Sequence, residues 1–310
     1  MKSRHIPSLE PLRKCDIGAR RVARSTRIEF MITAKGNVRR MLASAKCLGS
    51  LIRATMRASI SRFLILVLVS FIPLSAAAQL RVLVYTRNYT PDGKGYVHDN
   101  IASSVAAIRK MGAEKGFSVD VSEDPGAFSE TNLKQYAAIV FSNSNNQAFA
   151  SDAQRNAFKH YIESGGGFVG LHSASGSERD WPYFWSVLGG KFAAHPKMQV
   201  FTVWVADPLF AATKNLPAQF EWTDECYFID HLNPGIHPVL VTDRSKLNSL
   251  ELMKIDVASF PNPLPLAWYQ QFDGGREFYL ALGHNKEDYA NPILYGIIEN
   301  GIVWAMKPAQ

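Results

Sequence analysis

Three consecutive glycines, Gly165-Gly166-Gly167, lead into the apolar run Phe168-Val169-Gly170-Leu171, which stops at His172 and gives way to the small residues Ser173-Ala174-Ser175-Gly176. No other stretch restricts the fold as much. Upstream, residues 153–164 carry helical periodicity with Phe158, Tyr161 and Ile162 on one face. Downstream, residues 180–188 read as another helix. Helix, glycine turn, buried strand and tight turn form one unit of a doubly wound α/β sheet, in which ligands sit beyond the carboxyl ends of the strands. His172 falls at that end. Gly170 and Ala174 flank it at minus two and plus two, the small-residue spacing of a nucleophile elbow. The central residue is an imidazole, not Ser or Cys.

The rest of the chain fits the same architecture. Residues 80–86 form a continuous apolar run, as a buried parallel strand requires. His98-Asp99-Asn100 stands at the mouth of a helix that places Ile101, Val105, Ile108 and Met111 on one face and closes at Gly116. Strands follow at 117–121 and 136–142, and Ser151-Asp152 opens the helix that leads to the glycines. Beyond Gly190 the pattern changes. Residues 198–205 alternate like a strand with two different faces, 220–229 are strand-like but interrupted by Asp224-Glu225, and 237–242 form another strand. Residues 243–263 read as loop, 266–272 and 277–282 as a hairpin around Asp273-Gly274-Gly275, and 292–306 as a closing helix. The expectation is one α/β domain over 79–310, with a parallel core and added antiparallel strands.

The net charge of +7 is misleading as a guide to partners. Residues 1–62 hold 15 of the 34 Lys and Arg and 3 of the 27 Asp and Glu, which leaves 19 basic and 24 acidic residues for the remainder. The expected folded part is mildly acidic, so nucleic acid is not an expected partner. Met56 to Arg62 is a short basic start, 63–75 an apolar run and Ala76-Ala77-Ala78 a small-residue cleavage site, together a secretory signal at 56–78. The run is shorter than the ~20 residues of a membrane span, so no lasting membrane insertion is expected after cleavage. Residues 1–55 are expected to be an over-called, disordered N-terminal extension, and the mature chain to be periplasmic or secreted. Cys226 is the one cysteine after the signal, so no internal disulfide is expected there.

Histidines carry the candidate chemistry. His98 follows the first strand, His172 ends the fourth, His195 precedes Pro196 after Gly189-Gly190, and His284 follows Gly283 at the end of a strand. Four imidazoles at one sheet edge can meet in one cleft. His160, His231 and His237 read as surface or structural. Asp224-Glu225, flanked by Trp222, Tyr227 and Phe228, is either a desolvated acid–base pair or a solvated loop pair. Arg276 either clamps an oxyanion or opens the exposed hairpin strand. The sequence has no P-loop or H-E-x-x-H motif. Aromatic residues near these loops, among them Tyr96, Trp222, Tyr227 and Trp268, suit sugar rings or simply a core.

Six segments in order resemble the trehalose-utilisation (ThuA-like) family of the class I glutamine amidotransferase-like superfamily. They are Tyr96-Val97-His98-Asp99 after the first strand, the stretch from Gly165 to Ala174, Gly189-Gly190-Lys191-Phe192 with His195-Pro196, Thr223-Asp224-Glu225-Cys226-Tyr227, Pro265-Leu266-Ala267-Trp268, and Gly275-Arg276 through Leu282-Gly283-His284. The resemblance spans roughly 80–306 and implies a flavodoxin-like, amidotransferase-like sheet. Amidotransferase relatives hold a catalytic Cys at the elbow. With His172 there, glutamine hydrolysis through a thiolate is excluded. The family's association with disaccharide catabolism and keto-sugars implies a small carbohydrate as ligand. On this reading His172 and Glu225 are acid and base, and His98, His195, His284, Asp224, Tyr227, Trp268 and Arg276 bind substrate. Two alternatives stay open: a divalent metal held by three His and Glu in a hydrolase, and a non-catalytic sugar-binding module. Cofactor, oligomeric state (including a homo-oligomer) and reaction are left undetermined.

Overall fold

The computed structural model describes residues 79–307. The expected extension, the signal segment, Cys15 and Cys47 lie outside the described residues. Along the chain run β1 (Arg81–Tyr85), β2 (Asn88–Tyr89), α1 (Ile101–Lys115), β3 (Ser118–Ser122), α2 (Glu130–Leu133), β4 (Ala138–Ser142) and β5 (Asn145–Asn146). Next come α3 (Asp152–Glu163), β6 (Gly167–Leu171), a 3₁₀ turn at His172–Gly176, α4 (Pro182–Leu188) and β7 (Lys191–Ala194). The last set is β8 (Gln199–Val205), β9 (Gln219–Asp224), β10 (Phe228–Asp230), β11 (His237–Thr242), β12 (Leu264–Phe272), β13 (Gly275–Leu280) and α5 (Pro292–Ala305).

Nine strands form the main sheet in the order β3-β1-β4-β6-β13-β12-β11-β8-β9. The pairs among β3, β1, β4, β6 and β13 are parallel, and those from β13 to β9 are antiparallel. Successive residues of the parallel strands alternate between two apolar layers, as a period of two demands. Val82, Val84, Val140 and Val169 face α1 and α5 through Ile108, Met111, Leu294 and Ile298. Leu83, Ile139, Phe141 and Phe168 face α3 and α4 through Phe158, Ile162, Phe184 and Leu188. Each large side chain so buried contributes roughly 1.5–3 kcal/mol, which explains why these strands read as unbroken apolar runs. The expected face of α3 is buried at Phe158, Tyr161 and Ile162, and Gly116 closes α1 at φ 80°.

Three details depart from the sequence reading. The interrupted run 220–229 is two strands in different sheets: β9 ends on Asp224 in the main sheet, while β10 pairs with β7 in a small one. The Lys191–Ala194 strand was not anticipated, because it is a four-residue, half-buried ribbon. The hairpin turn forms as expected, with Asp273 at φ 51° and Gly274 at φ 97°. Its second arm, however, lies beside β6 in parallel, with Leu280 opposite Leu171. That register sets the chain leaving β13 next to His172.

Candidate functional site

His172 is the pivot. It has φ 46°, a left-handed conformation uncommon for a residue with a Cβ. The turn tolerates it because its neighbours are small: a Cβ on Gly170 would stand 2.5 Å from Leu188 Cδ1 and 3.4 Å from Ala174 Cβ. Tyr279 Oη lies 2.8 Å from the His172 carbonyl and 2.9 Å from Ser175 Oγ, which pins the turn. The imidazole is fully buried. Its Nδ1 faces the Ala281 carbonyl at 2.7 Å and so carries the proton. Nε2 is then the acceptor, and the Tyr227 hydroxyl donates to it at 2.8 Å. Burial, followed by the neighbouring His98, holds this ring well below the usual histidine pKa, so it is neutral.

Around Nε2 the other groups converge. His284 Nδ1 lies 3.3 Å away, and Glu225 Oε2 3.8 Å. His284 Nδ1 is 3.0 Å from Glu225 Oε2, and His195 Nε2 is 3.5 Å from Glu225 Oε1. The hydrogen bond to Glu225 raises the pKa of His284 despite partial burial. Burial opposes charge on Glu225, but His284 and then His195 outweigh it, so the Glu225 pKa is lowered. His98 packs edge-on against His172 at 4.8 Å and His284 at 5.2 Å between ring centres. Desolvation, then His284, pushes its pKa down to about 4, and its buried Nδ1 has no partner. His98, His172, Glu225 and His284 can each offer one ligand atom, all within 4.8 Å of one another.

Asp224 organises this ring from behind. Its Oδ2 accepts from the backbone N–H of Gly283 at 2.7 Å and of His284 at 3.4 Å, and from Trp222 Nε1 at 3.1 Å, while Oδ1 accepts from the Glu225 N–H at 2.7 Å. It is buried, and desolvation raises its pKa to about 7. Asn100 completes the scaffold: its Nδ2 donates to the Gly283 and His284 carbonyls at 2.7 and 2.9 Å. Gly283 has φ 112°, and a Cβ there would stand 3.0 Å from Tyr289 Oη, so this turn needs glycine.

The structure therefore brings together His98, His172, His195, Glu225, Tyr227 and His284, with Asp224 beneath them. It does not bring Arg276 or Trp268. Arg276 stands at the start of β13 opposite Gly167, with its guanidinium 4.9 Å from the centre of the Trp304 ring and NH1 donating to the Trp304 carbonyl. Four strand residues separate it from the rim, roughly 13 Å. Trp268 is fully buried against Tyr279, and its Nε1 donates to the Leu188 carbonyl at 2.9 Å. Arg276 sits at the end of its strand away from the rim, and Trp268, close to the rim beside Tyr279, turns its side chain into the core under Leu188, so both are framework residues. His160, His231 and His237 are exposed, as expected.

Above the ring opens a cleft of about 370 Å³, whose walls include Tyr96, Asn145, Ser173, Arg179, Phe192 and His195. Asn145 and Arg179 escaped the sequence reading. Arg179 Nε donates to the Gly176 carbonyl and NH2 to Asn145 Oδ1, which places a cation on the cleft wall. A signal was present: Ser142-Asn143-Ser144-Asn145-Asn146 is a polar run at the carboxyl end of an apolar strand, the same cue that singled out His172.

A parallel α/β sheet with a strained elbow residue at its carboxyl rim defines the amidotransferase-like class of fold, here with imidazole in the elbow. Within it, the chain belongs to the ThuA family, described as trehalose utilisation, whose model matches residues 81–305. A solved ThuA-like protein from Bacteroides uniformis superposes with a TM-score of 0.59 at 23% identity, covering 75% of this chain and 94% of that one. Another from Parabacteroides merdae gives 0.55 at 17% identity, covering 75% and 92%. A cytoplasmic protein from Salmonella typhimurium gives 0.52 at 12% identity, covering 73% and 99%. These likenesses establish the fold. A search of curated proteins finds no match to this chain. Family membership points to a role in carbohydrate metabolism.

Proposed function

We propose that this protein acts on a sugar or keto-sugar, as a disaccharide or glycoside, by proton transfer in the cleft above His172. The observation that carries the reading is the Glu225–His284 pair at 3.0 Å, with Glu225 on the wall of the cleft and a neutral, fully buried His172 behind the pair. Neighbouring titratable groups whose pKa values are pushed apart mark acid and base roles. Glu225, held ionised, is the proton acceptor. His284, whose pKa the hydrogen bond to Glu225 raises, is the donor. His172 presents Nε2 inward and keeps both in place through its fixed tautomer. Arg179, Asn145 and His195 on the walls offer donors and acceptors to hydroxyl or carbonyl oxygens, and Tyr96 and Phe192 offer flat faces to the C–H side of a ring. Such a set suits proton abstraction beside a carbonyl, followed by isomerisation or elimination, or hydrolysis of a keto-glycoside. Export to the periplasm or beyond, as the basic–apolar–small segment at 56–78 indicates, would put the reaction where disaccharides arrive.

The test is turnover of mono- and disaccharides and their keto derivatives by the full chain and by Glu225→Gln. The expected loss is ~10²–10⁴-fold for the variant, the range of a general base, with little change in melting temperature. Calorimetric binding of sugars without turnover by the wild type would sink the catalytic reading in favour of a sugar-binding module.

A further inference from the structure

We infer that His98, His172, His284 and Glu225 form a binding site for one first-row divalent cation, with zinc the best fit. The inference shares the cleft of the proposed function, but it stands on ligand geometry alone. A tetrahedral ion with arms of roughly 2.0–2.1 Å requires donor atoms about 3.3–3.4 Å apart along each edge. The edges His172 Nε2–His284 Nδ1, His284 Nδ1–Glu225 Oε2 and His172 Nε2–Glu225 Oε2 measure 3.3, 3.0 and 3.8 Å. Those three atoms thus already outline one face of such a tetrahedron. His98 stands against the same face, since its ligand atom lies within 4.8 Å of the other three.

Two further observations separate this cluster from a chance gathering of imidazoles. First, the outer nitrogen of His172 is tied to the Ala281 carbonyl at 2.7 Å. A backbone carbonyl on the far N–H is what orients a metal-binding histidine and leaves its other lone pair free to point at the ion. Second, His98 is 5% exposed and keeps a buried Nδ1 without a partner. A buried ring with an unanswered nitrogen is costly unless a ligand repays it. Placing three imidazoles this close together, two of them buried, makes sense when a cation holds them.

The donor set selects the ion. Three imidazoles and one carboxylate suit zinc or a neighbouring first-row ion, whereas magnesium and calcium need mostly oxygen donors. Binding would release the proton shared by His284 and Glu225, because ligands must be deprotonated. The Tyr227 hydroxyl, now 2.8 Å from His172 Nε2, would have to turn toward the cleft. With four protein donors already on it, the ion would polarise a sugar oxygen only by expanding to five-coordinate. Proton movement would pass to the pair Glu225 Oε1 and His195 Nε2, which lies outside the cation ring at 3.5 Å.

The experiment uses the untagged full chain. Elemental analysis is expected to find about one first-row divalent ion per chain. After chelation, added cobalt(II) is expected to give the intense visible bands of a four-coordinate site, and zinc to displace them. His284→Ala and His98→Asn are each expected to weaken zinc binding by roughly 100-fold or more, while His160→Ala and His231→Ala leave it unchanged. His172→Ala is avoided as the sole probe, because that residue also holds the strained turn. A chain without ion and without cobalt bands, or binding untouched by His284→Ala and His98→Asn, overturns the inference. Chelated protein that still turns over a keto-sugar would overturn the cation's role while leaving the proposed function standing.

Discussion

Asp224 offers a test of how the site is assembled, because its carboxyl group is buried among four N–H donors. The perturbation is Asp224→Asn. Desolvation raises the Asp224 pKa from 3.8 to about 7, a shift worth up to about 4 kcal/mol at 1.36 kcal/mol per unit. The folded protein keeps this proton to a higher pH than the unfolded chain does. The contribution to stability is therefore fully present below pH ~4 and is lost as pH rises through about 7. Asparagine has no such dependence. Its amide adds a constant penalty instead: an NH₂ in place of Oδ1 leaves the Glu225 N–H unanswered, at a cost of about 1–3 kcal/mol. The stability difference, wild type minus variant, should thus shrink by up to about 4 kcal/mol between pH 4 and pH 8. For a domain of this size that is roughly 8–16 °C of relative melting temperature. The assay is thermal unfolding of both proteins across that range with a chelator present. Parallel curves would refute the reasoning, because they would mean that the N–H donors keep Asp224 charged even in acid.

Other outcomes follow from the same contacts. Tyr279→Phe removes the hydroxyl that pins the His172 turn; it should cost about 1–3 kcal/mol of stability and slow sugar turnover, and an unchanged chemical melt would count against the elbow's dependence on it. Arg276→Ala should lower stability by about 1–2 kcal/mol through the lost contact with Trp304 and leave turnover within about twofold; a large loss of turnover at full stability would return Arg276 to the site.

Much of the first half was legible because its physics is local. Short apolar runs rich in β-branched and aromatic residues read as strands buried on both faces, and the small residues around His172 announce a constrained turn. Four histidines beside Gly or Pro at element ends pointed to one rim, and the described structure has His98, His172, His195 and His284 within one cluster. What the sequence hid was pairing. A hairpin signal at Asp273-Gly274 fixes two neighbouring strands, but nothing in it says that the second arm inserts beside β6. The family resemblance made Arg276 and Trp268 read as site residues, whereas the register puts Arg276 at the far end of β13 and Trp268 buries its side chain in the core. Likewise, the break at Asp224-Glu225 was visible, but not that it marks the crossing between two sheets. Asn100 was noted only as part of a helix entrance; its bonds to Gly283 and His284 span more than 180 positions and leave no local trace.

The placement of β13 has a consequence for biosynthesis. The middle of the main sheet is occupied by a strand synthesised after all its neighbours, and the ring containing His284 cannot close before that strand docks. Until then the backbone N–H and C=O groups along one side of β6 have no strand to pair with, the kind of edge that invites pairing with other chains. Were this chain to fold as it is made, such an interval would leave it largely formed, without its complete ring and prone to aggregate. Contacts between such distant positions also slow the final step. Shielding during synthesis, rather than stability of the finished domain, would then govern the yield of competent protein.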